Sequence, residues 1–387
     1  MTGRQRNGVK RMAGFFLLGL AVSVGAVEED GAIKVRFLLQ PWIQLEKEAA
    51  PDGKSWSKEA YLRRSRIIIS GQVHERIRFF VETDIPNWGK NGNWSSAMYV
   101  QDAYVDFTLV KELGIIDSLN AAVGMILLPF SRHNRQSAAS LNTLDYHSSL
   151  IRFLPDSHKA WRDSGVELRG LFLGKNLDIR MGIFNGLRGT KMRAGTLNPD
   201  DSPRFTGRVQ YNVFDTEDGF FYGGNHLGAK RILAFGVGLD HQKNAVYIPL
   251  LGGGWLVDYT AVSADLFLDW PLGDNLGFIG LLNYYSYDYG DQSPLGFPPS
   301  MTGKGCGLEL GLRYRKWEPV FFYERFSPKY EAALDDFYTR GLRFGLNYWL
   351  LGHTANIKLE FASMTRKTVD LKSANLSRLT IQTQLLF

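Results

Sequence analysis

The chain has 387 residues, with 45 basic against 39 acidic side chains, seven histidines and a single cysteine, Cys306. One cysteine excludes an intramolecular disulfide, a CxxC zinc site and a CxxCH haem attachment, and near-balanced charge gives no case for a nucleic-acid partner. Forty-one glycines and 13% aromatic residues, combined with alternating apolar runs, point to a large β-sandwich or a β-barrel.

At the N-terminus, Arg4, Arg6, Lys10 and Arg11 precede an apolar run from Met12 to Val24. Gly25 and Ala26 then lead into Glu28, Glu29 and Asp30. This order is that of a secretory signal peptide over residues 1–26, cleaved after Ala26. The run is shorter than the roughly twenty apolar residues that span a bilayer as a helix. Residues 27–387 retain 41 basic and 39 acidic side chains.

The remainder reads as successive strands. Ala32–Leu45 is a first strand, broken near Pro41. In YLRRSRIIISG, Arg64, Arg66, Ile68 and Ser70 share one face. Ile77, Phe79 and Val81 alternate with Arg78, Phe80, Glu82 and Asp84, and Ala103, Val105 and Phe107 alternate with Asp102, Tyr104 and Asp106. The same period of two runs through Val166–Arg169, Leu177–Ile183, Phe205–Asn212, Leu308–Arg315, Leu342–Tyr348 and Ile357–Phe361. Ala229–Leu282 is ambiguous, because both faces are apolar or small in places. The last strand is the clearest. Leu379, Ile381, Thr383, Leu385 and Phe387 oppose Arg378, Thr380, Gln382 and Gln384.

One apolar face and one charged face, repeated at this spacing, predict a transmembrane antiparallel β-barrel of about sixteen strands enclosing an aqueous path. Tyr and Trp near strand ends, among them Trp42, Tyr61, Trp255, Tyr284, Tyr285, Trp317 and Trp349, fit interfacial girdles. Two long connections stand out, Arg188–Pro203 and the constriction-loop candidate 130–162, between the fifth and sixth strands.

Taken in order, several blocks resemble the phosphate-selective porin O and P family of Gram-negative outer membranes. They are LRRSRIIISG (Leu62–Gly71) followed by RIRFFVETD, DAYVDF (Asp102–Phe107), VGMILLPFSR (Val123–Arg132), RDSGVELRG (Arg162–Gly170), GIFNG (Gly182–Gly186) and NYWLLGHTANIKLEF (Asn347–Phe361), before the terminal Phe387. The resemblance implies a sixteen-stranded homotrimeric porin among outer-membrane lipid and lipopolysaccharide. Small anionic solutes, phosphate among them, would diffuse through it past basic residues. A Lys-rich loop, which a phosphate-selective member would carry, is not evident in Ser131–Arg162.

Candidates for lining an anion path are Arg64, Arg66, Arg132, Arg135, Arg152, Lys159, Arg162, Arg169, Arg180 and Arg208. From Phe130 to Gln210, thirteen basic residues face seven acidic ones. In a narrow lumen such an excess concentrates anions, and guanidinium forks suit oxyanions. The competing reading is that these arginines pair across strands with Glu82, Asp84, Asp102, Asp106, Glu167 and Asp178. A general non-selective porin, or a barrel sheathing a partner such as a multihaem cytochrome, are the alternatives.

No GxSxG, HExxH, P-loop or strand-turn-helix GxGxxG occurs, so no catalytic residue, cofactor or metal is expected. His133, His147 and His158 are too widely spaced for a local metal motif and read as solvated loop histidines.

Overall fold

The computed structural model describes residues 33–153, 157–188, 198–250, 253–290, 302–328, 338–367 and 373–387. The expected signal peptide, 1–26, lies outside them. Sixteen strands form one closed sheet: β1 (Lys34–Glu46), β2 (Ser57–His74), β3 (Ile77–Asp84), β4 (Tyr99–Val110), β5 (Ile116–Leu127), β6 (Arg162–Phe172), β7 (Leu177–Phe184), β8 (Arg204–Asn212), β9 (Ile232–Leu250), β10 (Gly253–Pro271), β11 (Leu276–Asp288), β12 (Gly303–Tyr314), β13 (Trp317–Pro328), β14 (Tyr338–Tyr348), β15 (Ala355–Lys367) and β16 (Ser373–Leu386). Each strand pairs antiparallel with its sequence neighbours, and β1 pairs with β16 to close the barrel. Closure leaves no open edge, which is the condition for a sheet in lipid.

The seam is fastened at the terminus. Phe37 N donates to Phe387 O at 2.7 Å, Phe387 N donates to Phe37 O at 3.1 Å, and the two rings stack at 5.6 Å. On β16, Gln382 and Gln384 are buried inside while Ile381, Leu385 and Phe387 face outward, as their period predicts. Pro41 falls where the β1–β2 register shifts, because a proline cannot donate to the ladder.

The ambiguous stretch resolves as three strands whose inward face is apolar in part, beside buried Asp240, Ser263, Asp265 and Asp269. Ile232, Ala234, Phe267, Ile279 and Leu281 form one buried cluster on β9–β11, while Phe235, Val237, Leu239, Val262 and Leu282 face outward. A lumenal face stays apolar when protein rather than water covers it. Some girdle expectations are corrected for the same reason. Trp255, Tyr284 and Trp317 are exposed outside, but Trp42, Tyr61, Tyr285 and Trp349 are buried inside.

With an even strand count, both ends of the sheet's chain lie at one end of the barrel. The connections there are short (75–76, 111–115, 173–176, 272–275, 315–316, 349–354), except for 213–231. The opposite end carries the longer loops 47–56, 85–98, 128–161 and 185–203.

Candidate functional site

The loop 128–161 and the connection 213–231 enter the lumen from opposite ends and meet there. Tyr222 N donates to Arg135 O at 3.0 Å, and Ser137 N donates to Tyr222 O at 3.1 Å, a short parallel bridge. At the start of the loop, Ser131 caps a single helical turn, Arg132–Arg135. Its Oγ accepts from Asn134 N at 3.2 Å, and Asn134 Oδ1 accepts from Ser131 N at 2.7 Å. The loop backbone presses on β9 where Gly238 leaves room, since a Cβ there would collide with Phe130 O. At the far end of the loop, Tyr287 Oη donates to Leu150 O at 2.7 Å and Tyr289 Oη donates to Arg152 O at 2.8 Å.

The capped turn sends its two arginines to different partners. Arg132 Nη1 and Nη2 donate to the two Glu217 oxygens at 2.5 and 2.8 Å, and its guanidinium lies 3.6 Å from the Phe267 ring centroid. Arg135 reaches Glu167 on β6 at 2.7 and 3.2 Å and Phe220 O at 3.0 Å. Between them, Tyr222 is flanked by the guanidiniums of Arg132, Arg180 and Arg208 at 5.2, 4.6 and 5.4 Å, and its hydroxyl donates to Asp178 at 2.9 Å.

The wall arginines are paired as well. Arg64 bonds Gln40 at 2.8 Å and pairs with Asp145 of the inward loop. Arg66 donates to Asp84 at 3.0 Å and pairs with Glu82. Arg162 holds Asp102 at 2.8 and 3.1 Å, Arg180 holds Asp178 at 2.7 and 3.0 Å, and Arg208 holds Asp265 with two bonds of 2.7 Å. Arg152 is half-buried, bonds Ser149 O at 3.0 Å and lies 3.7 Å from the Phe326 centroid. Lys159 is exposed, over Tyr99 at 4.4 Å. Arg169 is buried; among the described residues it has a long 3.8 Å approach to the Asp106 carboxylate and lies 5.8 Å from the Phe220 ring centroid. Most of the candidate guanidiniums therefore sit in a belt of alternating charge, not a bare cationic ring, which is how buried charges are tolerated.

Sequence reasoning missed Glu217 and Tyr222, together with the pairs Arg204–Asp240 (2.7 Å) and Arg343–Glu324 (2.6 Å). The available signal for the first two was positional: 213–231 is a long connection at the end where the others are short.

Two histidines differ from expectation. His133 and His147 are fully buried, with rings stacked at 3.7 Å, and His147 stacks in turn on Phe322 at 3.6 Å. They are not solvated, because the loop that carries them folds inside. Their ring nitrogens and the Glu309 carboxylate lie within 4.8 Å of one another. A shared metal needs in-plane lone pairs that converge, whereas these rings are 13° from parallel. His133 Nε2 already accepts the His147 backbone N–H at 2.8 Å. The trio is a packing clamp for the loop. Burial pushes both histidines well below the ordinary range, so they are neutral near pH 7.

His226 goes the other way. Burial would lower it, but Asp269 at 3.0 Å and Glu217 at 3.3 Å raise it above its ordinary value. Glu217 is likewise opposed by burial, yet Arg132 and His226 hold it far below the usual carboxylate range.

No family profile matches the chain, and no curated protein matches it. Solved structures do. The outer membrane channel DcaP of Acinetobacter baumannii is 13% identical, with 93% of this chain and 99% of that one covered and a TM-score of 0.58. An anion-selective porin from Comamonas acidovorans is also 13% identical, over 92% of this chain and 100% of that one, with a TM-score of 0.58. OmpT of Vibrio cholerae, in a trimer form, is 10% identical over 93% and 100%, with a TM-score of 0.56. The fold is the sixteen-stranded antiparallel barrel of these outer-membrane proteins.

Proposed function

We propose that the chain is a passive diffusion channel of a Gram-negative outer membrane, preferring small anions. The observation that carries this reading is a closed sixteen-strand barrel with an apolar outside and a loop from the long-loop end folded into a charged lumen. Export by residues 1–26, a homotrimer and a short-turn end facing the periplasm belong to the same reading. The Comamonas porin and the Vibrio trimer support it by likeness of fold. No catalytic step is proposed.

Anion preference rests on cations left over once the pairs are made. Lys34, Arg78 and Arg169 gather at the short-turn mouth, while the deeper guanidiniums are already occupied by carboxylates. Phosphate and other small oxyanions fall within the class; a dedicated phosphate site is not proposed. The test is the zero-current potential of the purified protein in a planar bilayer under a KCl gradient. A chloride-directed potential supports the reading. A zero or potassium-directed potential leaves a non-selective porin, and absence of channels from the folded barrel favours a sheath around a partner protein.

A further inference from the structure

The short-turn mouth contains a vestibule of about 490 Å³, within the size range of small-molecule sites. Its floor comes from the inward connection, with Gly219 and Phe220, and its walls come from β1–β4 and β6. We infer that this vestibule binds a small anion carrying a flat apolar ring, of which an aromatic carboxylate is the simplest form. The inference deepens the channel reading by naming a solute class, and rests on that reading only for the solute's arrival through the pore.

The charge side of the argument is Arg169. It is 7% exposed, and Nε and Nη1 are buried without a hydrogen-bond acceptor among the described residues. Nη2 stays 3.8 Å from Asp106. A buried guanidinium ordinarily has its donors filled, and each unfilled donor is costly. The neighbouring arginines differ in their Nη atoms, which from Arg135 and Arg180 bond Glu167 and Asp178, although Arg135 Nε is itself without a partner among the described residues. Lys34 and Arg78 line the same space. Of its two carboxylates, Asp218 is held by Lys175 at 2.9 Å, and Asp106 stands opposite Arg78 in the β3–β4 ladder. An incoming carboxylate therefore meets more positive than negative charge.

The shape side is a ladder of rings. Phe80 stacks on Tyr104 at 5.5 Å and 23°, and Tyr104 stacks on Phe220 at 4.4 Å and 22°. Phe80 and Phe220 are half-buried, so the ladder ends at the vestibule. Arg169 lies 5.8 Å from the Phe220 centroid. A flat anion can thus place its ring against the ladder while its carboxylate faces the guanidinium, a pairing that a bare oxyanion cannot use in full.

Calorimetric titration of the full chain, folded in detergent, tests this without any need for conduction. Sodium benzoate is the probe, with sodium acetate, inorganic phosphate and benzyl alcohol as comparisons. Benzoate is expected to bind about tenfold or more tighter than each of the three. R169Q should weaken benzoate about tenfold, R169K less, and F220L should bring benzoate close to acetate. Benzoate no tighter than acetate or phosphate, or unchanged by both R169Q and F220L, overturns the proposal. If R169Q does not fold, F220L and R78Q carry the same comparison. Benzoate binding in a barrel that forms no channels would sink the channel reading and keep the site, whereas anion-selective channels without benzoate binding would do the reverse.

Discussion

Arg132 and Glu217 join two chain segments that enter the barrel from opposite ends, through two hydrogen bonds of 2.5 and 2.8 Å between side chains that are almost fully buried. Arg132 also donates to Gly223 O at 2.8 Å, so one guanidinium gathers both ends of the turn that carries Tyr222. Removing one partner of such a pair strands the other as a buried charge. E217Q is therefore expected to cost about 3–5 kcal/mol in the docking of 213–231. Hydrogen exchange of peptides from 218–223 should accelerate by about 10² or more. Unchanged protection would mean that Tyr222 and its backbone bridge hold the segment alone.

His226 makes that docking pH-dependent in one direction. Its proton is held more tightly when docked than when free, so its contribution is complete below about pH 6.5 and is lost as pH rises through the raised docked value. Glu217, held low, stays ionised throughout this window. The protection factor of 213–231, the intrinsic exchange rate divided by the observed rate at the same pH, is expected to be higher at pH 6 than at pH 8.5, with the difference abolished in H226N. A difference that persists in H226N would assign the effect elsewhere.

His133 and His147 act with the opposite sign. Each is docked in its neutral form with a lowered pKa, so an undocked loop takes up protons first, and docking weakens as pH falls below about 6.5. Peptides from 131–150 should show lower protection, relative to the intrinsic exchange rate at each pH, at pH 5 than at pH 7. A loop equally protected at both would show that the stacked pair on Phe322 tolerates protonation.

Among the described glycines, Gly238 is the position where backbone packing leaves least room. A Cβ would collide with the Phe130 carbonyl, which also accepts from Ser263 Oγ at 2.6 Å. G238A is expected to destabilise by about 1–3 kcal/mol, as overpacking does. At Gly280 the nearest atom to an added Cβ would be 3.5 Å away, an ordinary contact, so G280A serves as the control in urea unfolding followed by tryptophan fluorescence. Equal midpoints for the two variants would contradict the close approach.

The barrel was legible because its signal is local. Each strand writes its two environments into alternate residues, and Leu379–Phe387 shows the pattern without interruption. Alternating Arg and carboxylate residues along the lumen were legible too, and so were carboxylates that pair with them, as Arg66 does with Glu82 and Asp84 and Arg180 with Asp178. The distant partners were not, since Arg132 finds Glu217 and Arg208 finds Asp265 on β10. Pairing across that distance follows from closure and loop docking, which no window of sequence reports. The inward connection hid itself in a particular way. Its His226 lies against Phe267 at 6.3 Å, in the buried apolar cluster of Ile232, Ala234, Phe267, Ile279 and Leu281, and these inward apolar residues blur the alternation that would have fixed strand parity on β9–β11. The buried histidines were misread for a related reason, since a polar loop folded inward looks the same in sequence as one left in water.

The most direct measurement is single-channel conductance in 1 M KCl, compared between the natural chain and one with residues 216–230 replaced by Asn-Gly. The β8–β9 hairpin continues as far as Asp215 and Arg231, whose backbone groups are bonded at 2.9 Å, so a tight turn can close it. Ohmic steps from the natural chain, and steps several-fold larger from the shortened one, are the predicted result. No steps from either, or steps of equal size, would contradict a channel whose lumen is narrowed where 213–231 meets the inward loop.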